Sequence, residues 1–271
     1  MTEVDPHTAP TDLHTDVPHP ARVYDFLLGG KDHFPADREA GEAILAMGEG
    51  GRTAVRANRA FLQRAVTALA GLGIDQFLDI GTGIPTAGNT HQVARRANPA
   101  ARVVYVDNDP IVLTHARALM SGAGHGTTRV LQADLREPRR ILDSTEVRDT
   151  IDFTRPVGLL LVAVLHFVKD NEHPAAIVRE LVDALPSGSY VVLSHVTAEV
   201  LTAAEVDGVG AAYRKVPAGM NLRSRAEVAE FLQGLELIEP GLVLCPFWRP
   251  DRETGPDDQR VSILAAVGRK A

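Results

Sequence analysis

Five short apolar runs separated by stretches of helical periodicity constrain this chain most: QFLDI (76–80), RVVYVD (102–107), TRVLQAD (128–134), PVGLLLVAVLHF (156–167) and SYVVLSHV (189–196). Strands joined through helices run parallel, because the crossover returns the chain to the same end of the sheet. The fourth run is apolar at consecutive positions, as a strand covered on both faces must be. The pattern predicts a doubly wound, mostly parallel α/β sheet. Beyond residue 200 the alternation fails. Ser224-Arg225-Ala226-Glu227 has the capping-box form and predicts a helix through Leu232. ELIEPGLVLCPFW and VSILAAVG then follow with no helix between them, which predicts an antiparallel C-terminal edge hairpin and seven strands in all.

Upstream of the first strand, apolar residues recur at helical spacing: Val23, Phe26 and Leu27, then Ala43, Ile44 and Met47, then Val55, Phe61, Leu62, Val66 and Leu69. They predict a glycine-broken helical segment over 21–72. Residues 1–20 hold four prolines and little apolar surface, which predicts a flexible tail. His7, His14 and His19 lie in that stretch without the spacing of a ligand set, and no metal site is expected.

A net charge of −7 argues against a nucleic-acid partner, which would call for a basic excess. No apolar run reaches the ~18 residues that a membrane helix needs, so no membrane partner is expected. The one cysteine, Cys245, cannot form an internal disulfide, and its setting in LVLCPF reads as a buried strand thiol rather than a nucleophile. A reducing, cytoplasmic setting follows from this usage. Oligomeric state is not legible.

FLDIGTGIPT (77–86) is the strongest local motif. An apolar strand carries Asp79 near its end, and Gly81 and Gly83 form a tight turn that lets a ligand approach the backbone. A dinucleotide fingerprint would need glycine where Thr86 stands, and Pro85 removes an N–H that a pyrophosphate would use. Asp79 suits an ammonium or sulfonium better than a phosphate. Asp107 ends the second strand, 26 positions after Gly81 (107 − 81), where a carboxylate can accept both hydroxyls of a ribose. Asp134 ends the third, placed for the exocyclic amine of adenine. Carboxylates at three successive strand ends fit a nucleoside cofactor without phosphates, such as S-adenosylmethionine.

DIGTGIPT, VYVDND, LQAD, AVLHFV and LPSGSYVVLSH resemble the successive motifs of the class I, Rossmann-like S-adenosylmethionine-dependent methyltransferases. More narrowly, RVYDFLLGGKDHFPADRE, VRANRAFLQRAV and LLVAVLHFV are similar to an actinobacterial family of S-adenosyl methyltransferases, formerly classed as a domain of unknown function. The resemblance implies a tail at 1–20 and one methyltransferase domain at 21–271. Within that domain it implies an N-terminal helical lid over 21–72, a cofactor-binding core over 73–200, and an acceptor-side insertion with the last strands over 201–271. It also implies that Asp79, Gly81, Thr82 and Gly83 surround the methionine part, that Asp107 and Asn108 meet the ribose, and that Asp134 and Leu135 frame the adenine. Pro85 departs from the glycine that many such enzymes have.

The implied activity is direct methyl transfer to a small-molecule acceptor. A binding protein that kept the nucleoside pocket without catalysis is the alternative class. An NAD-dependent oxidoreductase is disfavoured by Pro85 and Thr86. His166, just beyond the fourth strand, is the candidate acceptor-side base, with His195 behind it. Arg59 is a candidate partner for the cofactor carboxylate. LLGGKDHF (27–34) lacks the Walker pattern, since Asp32 follows Lys31, and is read as a hinge of the lid that carries Tyr24 and Lys31 toward the site.

Overall fold

A computed structural model describes residues 13–120 and 126–271 and turns the five runs into the parallel part of an eight-stranded sheet. The strands are β1 (Gln76–Ile80), β2 (Arg102–Asp107), β3 (Thr128–Gln132), β4 (Gly158–Val162), β5 (Tyr190–Val196), β6 (Leu235–Leu237), β7 (Val243–Leu244) and β8 (Ile263–Lys270). Their order is β3-β2-β1-β4-β5-β8-β6, with β7 also on β8. All pairs among β1 to β5 are parallel, and β8 is antiparallel to β5, β6 and β7. The C-terminal unit has one strand more than the sequence predicts. Pro240 offers no N–H to a ladder and Gly241 turns at φ +83°, so ELIEPGLVL divides into β6 and β7.

Helices α1 (Pro20–Leu28), α2 (Pro35–Leu45), α3 (Gly50–Gly71), α4 (Thr90–Ala97), α5 (Pro110–Met120), α6 (Pro138–Leu142), α7 (Thr145–Arg148), α8 (Pro174–Asp183), α9 (Ala203–Ala212) and α10 (Arg225–Glu230) surround it. Side-chain alternation sorts them into layers. Leu78, Ile80, Val104, Val106, Leu159 and Leu161 face the layer of α6, α7, α8 and α10. Phe77, Val103, Tyr105, Leu160 and Val162 face α3 and α4, where Phe61, Leu62, Val66 and Leu69 form the buried stripe of α3. Because Phe77 points toward α3, period two sends Asp79 the same way. That choice sets the chemistry of the site.

A third cluster joins the N-terminal helices to a segment late in the chain: Val23 and Leu27 of α1, Ala40 and Ile44 of α2, Val55 of α3, and Ala212, Tyr213 and Val216 around the end of α9. The N-terminal helices and the 203–216 segment therefore pack as one unit. No helix among the described residues is long and apolar enough to cross a membrane. The tail expected at 1–20 falls partly, with His7, outside the described residues. Its remainder, residues 13–19, lies against the rest of the protein.

Candidate functional site

The strand order reverses between β1 and β4, where an open α/β sheet leaves a crevice at the carboxyl ends of its strands. A cavity of about 620 Å3 occupies that crevice. Residues from the ends of β1 to β4 line it from below, α3 contributes Asn58, Arg59 and Leu62, and residues 13–22 with Pro217 and Ala218 complete the wall.

Both motif glycines are in the left-handed region, Gly81 at φ +76° and Gly83 at φ +67°. A Cβ on Gly81 would lie 2.3 Å from Cγ2 of Val164, so only glycine lets the β4 exit approach the loop. The helix that follows starts well beyond the turn. Gly88 (φ +77°) and the capping residue Asn89 delay α4 to Thr90, leaving residues 81–89 as a loop. In it, the Thr86 N–H donates to Asn89 Oδ1 at 3.0 Å.

Asp107 is buried at the end of β2 with its carboxylate fixed by the backbone: Gly83 N–H donates to one oxygen at 2.8 Å, Asp109 N–H to the other at 3.0 Å. Burial raises its pKa against these donors. A carboxylate has about four lone-pair positions, so it can accept two further donors from the cavity. Asn108 donates to Asp134 Oδ2 at 3.3 Å. Partial burial pushes the Asp134 pKa up, but hydrogen bonds from Arg136 outweigh it and hold the group below the usual carboxylate range. Arg136 reaches on to Glu172 at 2.9 Å, and Leu135 lies in the same wall.

Asp79, 5% exposed, accepts the Thr90 hydroxyl at 2.6 Å, and the Arg59 charge acts favourably on it. Burial lifts its pKa to about 6. Arg59 donates to Asn89 Oδ1, while its buried Nε has no hydrogen-bond partner. A buried donor left unpaired costs about 1 to 3 kcal/mol, a cost that a ligand acceptor would remove. Beside it runs a satisfied chain. The Ala163 N–H donates to Ser194 Oγ at 2.9 Å, Ser194 Oγ donates to Asn58 Oδ1 at 2.6 Å, and Asn58 Nδ2 donates to Tyr24 Oη at 3.0 Å. Tyr24 Oη in turn donates to Val55 O at 3.0 Å. This chain fixes Tyr24 and Asn58 in the cavity wall, and burial pushes the phenol to about 12.

The structure does not bring His166 or Lys31 to the cavity. After β4 the turn Leu165–Phe167 presents Phe167 and folds His166 inward. His166 is 3% exposed, its ring 4.3 Å from Phe167 and 5.4 Å from His195, its Nδ1 unpartnered. Burial holds its pKa far below the ordinary imidazole value, so the ring is neutral. His195 is a structural acceptor. Arg223 Nη1 can only donate to Nε2, at 2.9 Å, so Nδ1 carries the proton and donates to Val196 O at 2.7 Å. Burial lowers its pKa to about 4. Lys31 is exposed outside the cavity, because the GGKDH turn wraps the buried Asp25 carboxylate, which accepts from Asp32 N–H at 2.9 Å and lies 3.2 Å from His33 Nδ1. Cys245 is buried, and burial pushes its thiol up to about 12.

Sequence reasoning missed Arg22, His19 and Asp109. Arg22 Nε and Nη2 donate to the two oxygens of Asp109 at 2.8 and 3.0 Å, and the pair is 2% and 1% exposed. Nothing in the sequence pairs Asp109 with an arginine 87 positions away.

A family model described as S-adenosyl methyltransferase matches residues 6–271. The structure resembles that of a DUF574 family protein from Streptomyces avermitilis MA-4680, 46% identical, with a TM-score of 0.92 over 96% of this chain and 100% of that one. It also resembles a candidate methyltransferase from Thermobifida fusca YX, 39% identical, with a TM-score of 0.88 over 97% and 99%. At 13% identity and a TM-score of 0.54, magnesium protoporphyrin IX methyltransferase from Synechocystis PCC 6803, with bound SAH, shares the fold over 92% of this chain and 93% of its own. No curated protein matches the chain.

Proposed function

The chain belongs to the S-adenosyl methyltransferase family, and from that premise we propose that it transfers the methyl group of S-adenosylmethionine to a small-molecule acceptor by direct displacement. The observation that carries the cofactor reading is the presence of the Asp79 carboxylate and the unpartnered Arg59 Nε together on one wall of the cavity. Opposite charges side by side suit the ammonium and carboxylate of an amino-acid end. Asp107, with both oxygens oriented by backbone N–H groups, suits the ribose diol. Asp134, oriented by Asn108 and Arg136, suits the adenine amine, with Leu135 against the ring. Gly81, Thr82 and Gly83 give the close backbone approach that the chain between them requires.

When bound, S-adenosylmethionine supplies an electrophilic methyl on a sulfonium. The protein's part is to hold that group and the acceptor in line and to exclude water. Phe167, Val164, Pro217 and Ala218 form an apolar wall that removes water from the β4 side, and Tyr24 and Asn58 are held rigidly beside them. With Pro85 and Thr86 in the loop, the site offers little to a pyrophosphate.

Calorimetry with S-adenosylhomocysteine and NAD, followed by transfer of labelled methyl from S-adenosylmethionine to a small-metabolite extract, tests the reading. Binding of the first ligand alone and a labelled small product are expected. Binding of NAD in its place would overturn the cofactor assignment. Tight S-adenosylhomocysteine binding with no labelled product from any pool would leave a nucleoside-binding protein without catalysis.

A further inference from the structure

Residues 13–22 run along one wall of the cavity, and Leu13, His14, Val17, Pro18 and His19 all line it. This strap is held mainly through its backbone. Arg22 Nη2 donates to Leu13 O at 2.9 Å and Nη1 to His14 O at 3.3 Å, while the same guanidinium grips Asp109. The His19 N–H donates to Asp37 Oδ1 at 2.9 Å, and Asp37 also accepts the Phe34 N–H at 2.8 Å. The imidazole of His19 stands 3.3 Å from Asp109. Side-chain packing adds little at the outer end, where Leu13 is 40% exposed.

We propose that this strap moves off the site as the cofactor enters or departs, and that Arg22 is the positioning residue that couples its docking to the ribose end of the cavity. The inference rests on the methyltransferase reading above. Three features carry it. Residues 13–22 form part of the wall of a cavity that stays partly open, so the docked strap narrows it. A segment held chiefly by polar contacts, two carbonyls on Arg22, the His19 N–H on Asp37 and the His19 imidazole near Asp109, opens as a unit at small cost. Finally, Asp109 is both the anchor of Arg22 and the donor of the N–H that orients Asp107, so the lock and the ribose carboxylate share one short piece of backbone. A buried ion pair is stable only with both partners in place. Arg22 therefore favours two arrangements, strap docked or strap released, and occupation of Asp107 favours the first.

Stopped-flow binding of S-adenosylhomocysteine to the wild-type protein and to Arg22→Met distinguishes a gate from a structural brace. Loss of the lock raises the population of the open form, so association and dissociation rates both rise, each by about tenfold if the lock contributes about 1.4 kcal/mol to closure. A residue that only braced the fold would lower the melting temperature and leave the association rate unchanged, and that result would overturn the proposal. Arg22→Lys keeps the charge but not the fork to the strap carbonyls, and is expected between the two. If Arg22→Met does not fold, the wild-type chain decides. Cleavage at Leu13 by chymotrypsin and before Asp16 by endoproteinase Asp-N should be slowed by saturating S-adenosylhomocysteine, and equal cleavage with and without ligand refutes the strap. Failure of the wild type to bind S-adenosylhomocysteine by calorimetry overturns the methyltransferase reading itself, and the strap with it.

Discussion

Replacing Asp79 by Asn is expected to make the ligand-free protein more stable and to remove most of its affinity for S-adenosylhomocysteine. Burial lifts the carboxyl from 3.8 to about 6, so at pH 8 the folded chain holds an ionised group in surroundings that favour its protonated form. A difference of about two pK units is worth about 3 kcal/mol at 1.36 kcal/mol per unit. The folded-state pKa lies above the unfolded one, so this group favours folding below about pH 4, and the contribution is lost as pH rises through about 6. Asparagine has the same shape, keeps an oxygen for the Thr90 hydroxyl, and has no charge to desolvate. At pH 8 the variant should gain up to about 3 kcal/mol, roughly 5 to 10 °C in Tm for a domain of this size. The gain should shrink toward zero near pH 4. In the wild type, S-adenosylhomocysteine affinity should fall as pH drops below about 6, because protonated Asp79 no longer pairs with the ammonium. Calorimetric melting and titration across pH 4 to 8 measure both effects. A lower Tm for Asp79→Asn at pH 8, or wild-type affinity in that variant, would refute the reasoning.

Three further substitutions follow from the same geometry. Gly81→Ala forces φ +76° on a residue with a Cβ and drives that atom into Val164, so S-adenosylhomocysteine should bind at least about tenfold more weakly by calorimetry. Asp107→Ala removes a charged acceptor from the ribose position and should weaken the same ligand by about 10- to 100-fold, from about 1.5 to 3 kcal/mol; unchanged affinity would sink the ribose assignment. His166→Leu removes a buried ring whose Nδ1 has no partner, and should leave affinity and turnover within about twofold. A large loss of kcat at intact affinity would return His166 to the chemistry.

The parallel sheet was legible because strand and helix periods differ, and β1 to β5 form where QFLDI, RVVYVD, TRVLQAD, PVGLLLVAVLHF and SYVVLSHV stand. Asp79, Asp107 and Asp134 were legible as cavity residues because a strand end in an open α/β sheet has a known position. His166 was not, since whether a residue four places past a strand faces in or out depends on the turn, and Leu165–Phe167 turns the ring beneath Phe167. Residues 13–19 were illegible for a different reason. Their composition carries little apolar payload, and what orders them is an arginine in α1 bonded to two carbonyls, a contact that leaves no periodic trace in the sequence.

The Gly-Gly-Lys stretch shows how such a contact gives a local motif a role unlike its first appearance. Gly29 ends α1 at φ +85°, and a Cβ on Gly30 would lie 1.9 Å from Asp25 Oδ1, so the two glycines let the chain fold back over a carboxylate of its own helix. Lys31 is left in solvent by that turn. Phe34 then opens α2 with its N–H on Asp37, the same carboxylate that holds the strap at His19. The glycines thus bring Asp37 to the strap and α1 to Asp109. Their contribution to the site is to fix where Arg22 and His19 can stand, and a glycine substitution there should loosen residues 13–22 before it touches Asp79 or Asp107.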